Sequence, residues 1–198
     1  MSRTDRRQPY HHGNLRAALL KEAVRVIRSK GVAALTLRSA GDALGVSRTA
    51  LYRHFAGKSD LLAAVAAEGF RKLRGELEGK AFEDMGRAYV RFAVRNPSHY
   101  RVMFGGYIRN HTPGTELDVE GARAFQVLVD ALTTMQKQGV ARRDDPKLQA
   151  QFVWSVVHGV AMLTIDGQLR GPAGEECLPR RYVAQRIQSA VAPAQGAP

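Results

Sequence analysis

The segment SRTALYRH, residues 47–54, concentrates hydroxyl, guanidinium, phenol and imidazole groups that can form hydrogen bonds. Its polar members are Ser47, Arg48, Thr49, Tyr52, Arg53 and His54. A buried core has little use for so many polar groups on an element two turns long. Side chains of these types bind phosphates and read base edges, and arginine pairs with guanine through two hydrogen bonds. The segment therefore predicts an outward-facing surface that binds nucleic acid.

The charge distribution indicates the same class of partner. Residues 1–60 contain twelve Lys and Arg against four Asp and Glu, a net charge of +8 out of +12 for the whole chain. The other 138 residues therefore contribute 12 − 8 = +4. A basic end on a nearly balanced body is typical of a polyanion-binding protein. Charge alone leaves open that this basic surface serves only solubility.

Composition excludes several classes of protein. With 198 residues, 44% of them hydrophobic, the chain can bury a substantial core. The single cysteine, Cys177, excludes an intrachain disulfide, and we expect neither a cofactor nor a metal. Adjacent His11 and His12 point to different sides of a helix, with no third ligand near in sequence. No signal peptide and no apolar run of membrane-span length are recognisable, which predicts a cytoplasmic protein.

Hydrophobic periodicity is helical almost throughout, which predicts an all-α protein. We expect Asn14, Thr36 and Ser47 to cap the first three helices and Gly57 to end the third. A long helix from about Ser59 follows. Further helices are predicted at 82–95, 98–104, 116–138, 146–166 and 176–191. Two short helices joined by a tight turn at Gly45 have the form of a helix-turn-helix, whose second helix enters the DNA major groove.

The stretches YHHGNLRAALL and GVAALTLRSAGDALGVSRTALYRHFAGKSDLL resemble the DNA-binding domain of the tetracycline-repressor (TetR) family of bacterial transcription regulators. The resemblance covers residues 10 to about 75. It departs at Ala40, where the family usually has a large aliphatic residue, and at Gly41, where it usually has alanine. Glycine costs a helix about 1 kcal/mol relative to alanine. Two explanations are open for these small residues: closer packing of the second helix, or a second helix that can move.

The resemblance implies roles for individual residues on DNA. Tyr52 and Lys58 are implied as phosphate contacts, and Thr36 as a backbone contact at the start of the second helix. Arg48 is the leading base-reading residue. Ala50 is expected at a thymine methyl or in helix packing, and Tyr52 could equally brace the motif. The predicted DNA-binding set is Thr36, Ser47, Arg48, Thr49, Ala50, Tyr52, Arg53, His54 and Lys58.

In the second half, VWSVVHGVAML resembles the subgroup of the family marked by a Trp-His-Gly signature, here Trp154, His158 and Gly159. Trp154 and His158 are four residues apart and share one helix face. That face could line a ligand pocket, or the pair could form a hydrogen-bonded core element. The predicted pocket residues are Tyr100, Met103, Phe104, Tyr107, Phe125, Leu128, Trp154, His158 and Met162.

These features predict an N-terminal three-helix DNA-binding domain with a basic arm (1–60), a helical effector-binding and dimerisation domain (61–192) and a disordered tail (193–198). The resemblance implies a homodimer, paired through the last two long helices, with Gly159 and Ala161 allowing close approach. It would bind a palindromic operator on double-stranded DNA, and a small hydrophobic or aromatic effector would release it. The alternatives are an architectural DNA-binding protein without a ligand and an enzyme using His158 and Cys177.

Overall fold

The regular secondary structure of the chain is helical wherever the computed structural model describes it, that is, over residues 15–108, 113–169 and 180–193. The predicted all-α class is confirmed. The helices are α1 (Leu15–Lys30), α2 (Leu37–Leu44), α3 (Arg48–His54), α4 (Lys58–Leu77), α5 (Phe82–Arg95), α6 (Pro97–Phe104), α7 (Glu116–Lys137), α8 (Pro146–Ile165) and α9 (Arg180–Val191).

Side-chain caps begin the two short helices of the N-terminal half. The Thr36 Oγ1 accepts a hydrogen bond from the Ser39 amide at 2.9 Å, and the Thr36 amide donates to the Ser39 Oγ at 3.1 Å, so both ends of a capping box are present. The Ser47 Oγ accepts from the Ala50 amide at 3.3 Å. The predicted caps at Thr36 and Ser47 are confirmed. Asn14 lies outside the described residues.

Proline sets the start of two later helices. Pro97 and Pro146 each occupy the first turn, where a missing amide hydrogen costs nothing. α4 starts at Lys58, the neighbour of Ser59, in agreement with the predicted start, and Gly57 takes the N-cap position in extended backbone. The predicted start of α9 near residue 176 and most of the predicted tail, 194–198, lie outside the described residues.

Buried side chains form two clusters that meet along α4. The N-terminal cluster consists of buried apolar residues between 15 and 66 together with Val102. The C-terminal cluster consists of buried apolar residues from α4, α5, α6, α7 and α8 between 73 and 161, together with Ile187 and Val191 of α9.

Helix α4 belongs to both clusters. Leu61 and Leu62 lie in the N-terminal cluster, and Leu73 and Leu77 lie in the C-terminal cluster. Its 20 residues extend over about 30 Å at 1.5 Å per residue, so a single rigid element connects the two halves. The division predicted between residues 60 and 61 falls inside this helix.

Helix α8 is apolar over most of its length. Among the described helices it alone is long and apolar enough to cross a membrane, so the prediction that no run reaches that length is wrong for α8. The core helix of a folded domain passes the same test, and α8 packs against α5, α7 and α9. Leu148, Phe152 and Leu163 remain 46–62% exposed on its outer side.

Candidate nucleic-acid interface and ligand cavity

The turn between α2 and α3 is fixed by two glycines. Gly45 has φ 66°, in the left-handed region that favours glycine. A Cβ on Gly41 would lie 2.3 Å from the Leu51 Cδ1, which is closer than two carbons can approach. Of the two explanations for Gly41, the structure therefore supports closer packing, with α3 pressed onto α2 at this position.

The outer face of α3 is polar and the inner face is apolar. Leu51 is 2% exposed, whereas Tyr52 is 56% exposed. Arg48, Thr49 and Arg53 are also exposed. Since one short helix divides its side chains in this way, its polar groups are free to contact a ligand rather than support the core.

The other predicted DNA-binding residues frame this face. Thr36 and Ser47 are exposed, and each caps a helix. Ala50 packs against the N-terminal cluster, so helix packing accounts for it. His54 is half-buried at the end of α3. The Lys58 Nζ donates to the Ala33 carbonyl at 3.1 Å, which holds the ammonium beside the loop that leads into α2.

A cavity of about 230 Å³ lies among α4, α5, α6, α7, α8 and α9. Its wall is almost entirely apolar. Among the described residues of the wall, Glu83 alone carries a charge, and it is exposed. Two wall residues carry buried or half-buried polar atoms, Tyr89 and Trp154. A space of this composition favours an uncharged organic molecule over an ion.

The wall contains four of the nine predicted pocket residues: Phe104, Phe125, Leu128 and Trp154. The other five, Tyr100, Met103, Tyr107, His158 and Met162, do not line it. The rings of Tyr100 and Phe104 are 4.8 Å apart, and Tyr100 is fully buried. Met103 lies against Gly69 of α4. The Tyr107 side chain follows the end of α6 and is 46% exposed, so its position in the wall was predicted wrongly.

The face predicted for the Trp-His pair also needs correction. Gln151, which helical spacing predicts on the same face as Trp154 and His158, is exposed. Ala161, predicted at a dimer contact, is 0% exposed within the chain. Gly159 has no atom within 4 Å of a Cβ position, so it leaves open space on α8.

Trp154 and His158 are joined by two tyrosines into one hydrogen-bond network. The Trp154 Nε1 donates to the Tyr89 hydroxyl at 3.0 Å, and the Tyr100 hydroxyl donates to the Tyr89 hydroxyl at 3.0 Å. The His158 Nδ1 lies 2.7 Å from the Tyr100 hydroxyl and 3.2 Å from the Tyr89 hydroxyl. Trp154 therefore belongs both to the cavity wall and to a hydrogen-bonded core element, whereas His158 belongs to the core element.

Burial determines the protonation of this network. It raises the pKa of Tyr89 to about 12, and it raises the pKa of Tyr100 by more than that of Tyr89. It lowers the pKa of His158, which favours the neutral imidazole. All members of the network are therefore uncharged at neutral pH. Tyr89 was not predicted as a site residue, because its spacing on α5 is the same as that of an ordinary core residue.

Charged groups tie α4 to its neighbours. The Lys72 Nζ lies 2.5 Å from the Glu68 Oε1, and the Nε2 of buried His99 on α6 lies 3.7 Å from that oxygen. Interactions with His99 and then Lys72 lower the pKa of Glu68 to about 2, against the opposing effect of burial. This cluster holds α4 against α6.

Glu116, in the first turn of α7, connects three helices. Its two carboxylate oxygens each accept a hydrogen bond at 2.9 Å, one from Arg16 of α1 and one from Arg71 of α4. These side chains are about half exposed, so their contribution to stability is small. The arrangement nevertheless links a helix that lines the cavity directly to the helix-turn-helix half.

The fold and its two sites define a helix-turn-helix DNA-binding protein with a separate ligand cavity. The family model described as bacterial regulatory proteins of the tetR family matches residues 19–65. The model described as the tetracyclin repressor-like C-terminal domain matches residues 82–184. The chain belongs to the TetR family of transcription regulators. The narrower resemblance to the Trp-His-Gly subgroup stays a prediction.

Solved structures share the whole architecture. A protein of unknown function from Rhodococcus sp. RHA1 is 29% identical, with a TM-score of 0.76, over 93% of this chain and 99% of the other. The TetR family transcriptional regulator PfmR from Thermus thermophilus is 23% identical, with a TM-score of 0.62, over 88% and 96%. The flavonoid-responsive regulator FrrA is 20% identical, with a TM-score of 0.64, over 92% and 99%. No curated protein matches the chain.

Proposed function

We propose that this chain is a homodimeric repressor that binds a palindromic operator and is released by a small, apolar molecule bound in the cavity. The observation that carries the proposal is the course of α4. The first half of this helix closes the core beneath the helix-turn-helix, and the second half supplies Phe70, Leu73 and Leu77 to the cavity wall. A molecule in the cavity therefore contacts the element that supports the DNA-binding half.

On DNA, the proposal assigns direct base contacts to the exposed face of α3. Arg48 has the length and exposure to reach a guanine edge, and Thr49 lies beside it. Tyr52 and Lys58 are assigned to phosphates, which fix the position of the helix without reading sequence. The Lys58 ammonium has three donors and uses one on the Ala33 carbonyl, so the others can serve a phosphate. Since its partner is DNA, we infer that the chain acts in the cytoplasm.

The exposed apolar side of α8 supports the dimer. Leu148, Phe152 and Leu163 are exposed, and Gly159 offers open space for a close helix crossing. A second copy that packs its own α8 and α9 there would remove this surface from water, with a gain of about 25 cal/mol per Å² of apolar area. Two copies of α3 at a fixed separation would then contact successive major grooves.

Release requires the ligand to favour a conformation that binds DNA poorly. The cavity wall includes α7, and Glu116 at the start of α7 bonds both to α1 and to α4. Separation of these helices by a bound molecule would change the angle of the helix-turn-helix. FrrA, a neighbour in fold, is named as flavonoid-responsive, which supports a response to small molecules here.

The cavity favours this proposal over an architectural DNA-binding protein, which has no need for a ligand space. The enzyme alternative has less support, because His158 lies behind the cavity wall and bonds to tyrosines. Cys177 lies outside the described residues. A regulator without catalytic activity is therefore the function we propose.

Selection of bound fragments from a random DNA pool tests the DNA-binding part. The proposal predicts a palindrome with half-sites about one helical turn apart. Uniform coverage of all sequences would instead support the architectural alternative.

Analytical ultracentrifugation tests the dimer. Phe152→Glu places a charge on the outer side of α8 and should convert dimer to monomer. Val94→Glu adds the same charge at an exposed apolar position of α5 and should leave the dimer intact. A Phe152→Glu protein that stays dimeric would contradict the assignment of this surface.

A further inference from the structure

We propose that the cavity selects a neutral, largely apolar molecule that carries a hydrogen-bond acceptor, and that the Tyr89 hydroxyl recognises this acceptor. The inference rests on the proposed function of the cavity and adds the chemical class of its ligand. It follows from the hydrogen bonds around Tyr89 rather than from the apolar wall.

The hydroxyl of Tyr89 has both of its acceptor positions engaged. Trp154 donates to it through Nε1 at 3.0 Å, and Tyr100 donates to it at 3.0 Å. A phenol oxygen accepts two hydrogen bonds and donates one. Only the hydrogen of Tyr89 itself then remains to be placed.

The position of that hydrogen depends on His158. Tyr100 has a single hydroxyl hydrogen, and in this arrangement it is donated to Tyr89. The 2.7 Å contact between the Tyr100 oxygen and the His158 Nδ1 then requires Nδ1 to carry a hydrogen and donate it. A protonated Nδ1 in a neutral imidazole cannot accept from Tyr89. The Tyr89 hydrogen is left for a group in the cavity.

A second arrangement keeps the same distances with the hydrogens reversed. When Nδ1 is unprotonated, Tyr100 donates to His158 and Tyr89 donates to Tyr100, so both phenol hydrogens and the Trp154 Nε1 hydrogen have partners without a ligand. The network thus suits both an empty cavity and one that holds an acceptor. Binding of an acceptor moves the His158 hydrogen from Nε2 to Nδ1, and the net charge does not change.

The wall supports the rest of the chemical description. Tyr89 and Trp154 both line the cavity, whereas Tyr100 and His158 lie behind it. Burial keeps the phenol of Tyr89 protonated at neutral pH. The cavity holds about 230 Å³, compared with about 150 Å³ for an engineered cavity that binds benzene. One aromatic ring with a short carbonyl substituent fits this space.

Acetophenone and α-methylstyrene are a matched pair of probes. They have the same shape, but the first presents a carbonyl oxygen where the second presents a methylene carbon. Dissociation constants for both are measured by NMR titration on the full-length protein and on its Tyr89→Phe variant. We expect Tyr89→Phe to lower the affinity for acetophenone, relative to α-methylstyrene, by about 3- to 10-fold. Tyr107→Phe removes an exposed phenol outside the wall and should leave the ratio unchanged.

A second measurement on the wild-type protein does not depend on the folding of a variant. In protein with ¹⁵N-labelled histidine, the His158 signals are assigned by their loss in His158→Gln. Acetophenone should shift the imidazole towards the Nδ1-protonated tautomer, and α-methylstyrene should not. Equal tautomer changes with both probes, or with neither, would overturn the inference.

The outcomes separate the two proposals. If both probes bind and Tyr89→Phe weakens them equally, the assigned role of Tyr89 is wrong and the cavity remains a ligand site. If neither probe binds the wild-type protein, two claims are wrong: the role of Tyr89, and the use of this cavity for small aromatic molecules. Operator binding by α3 is tested separately and is unaffected by either result.

Discussion

Gly41→Ala and Gly75→Ala should change the stability of this protein in opposite directions. Both glycines lie inside helices, α2 and α4, where alanine is the better helix former by about 1 kcal/mol. Their surroundings differ. A Cβ on Gly75 meets no atom within 4 Å, whereas a Cβ on Gly41 meets the Leu51 Cδ1 at 2.3 Å and the Cδ2 at 2.8 Å.

The expected magnitudes follow from this difference. Leu51 is 2% exposed, so it cannot swing into solvent to make room. Overpacking of a core typically costs about 1 to 3 kcal/mol, which exceeds the gain in helix propensity at Gly41. We expect a net loss of about 1 kcal/mol for Gly41→Ala and a gain of up to about 1 kcal/mol for Gly75→Ala. For a chain of this size each corresponds to roughly 2 to 4 °C in Tm.

Thermal and urea denaturation at one fixed protein concentration would measure both changes, since association alters the apparent stability. The variant Leu51→Val shortens the obstructing side chain. Combined with Gly41→Ala, it should cost less than the sum of the two single changes. A Gly41→Ala protein as stabilised as Gly75→Ala would refute the close contact between α2 and α3.

Three further predictions concern single side chains. Arg48→Ala should relax sequence preference in a selection from random DNA while the oligomeric state stays the same, and an unchanged preference would remove Arg48 from base reading. Lys58→Ala should weaken binding to all DNA sequences alike and reduce the slope of log affinity against log salt by roughly one; an unaltered slope would argue against a phosphate contact. The carboxyl of Glu68 has its pKa lowered from 4.5 to about 2 by His99 and Lys72, so it contributes stability above pH 4.5 that is lost as the pH falls towards 2. After allowance for solvent screening the contribution is about 2 kcal/mol, and Glu68→Gln should flatten the pH dependence of unfolding in that window.

The DNA-binding half was largely predictable from sequence because its signals are local. Ser47 caps the helix that it begins, and Gly45 takes the positive φ that ends α2. A polar run next to Leu51 shows which side of a short helix faces outward. Gly41 was seen as a departure, but its cause lies in Leu51, ten residues away. Only the structure could distinguish tight packing from a movable helix.

The cavity was predictable only in part, because its wall is assembled from six helices. The four-residue spacing of Trp154 and His158 places both on one face of α8. Trp154 nevertheless lines the cavity, whereas His158, one turn later, lies in the core behind the wall. Phe70 and Tyr89 have the same spacing as core residues and carry no local sign of a cavity. Tyr107 was included for its aromatic ring, but it lies beyond the end of α6, where no helix holds it inward.

The two-fold role of α4 determines where this protein can be divided. A fragment that stops at residue 60 lacks Leu61, Leu62 and Val65, none of which is more than 1% exposed in the whole chain. Without these side chains, the apolar interior of the fragment is open to water. A chimeric regulator with a different sensory half has to retain α4 at least through Ala67, which is also fully buried. The junction then falls before Phe70, where the helix begins to face the cavity, so a transplanted sensor must bring its own second half of this helix.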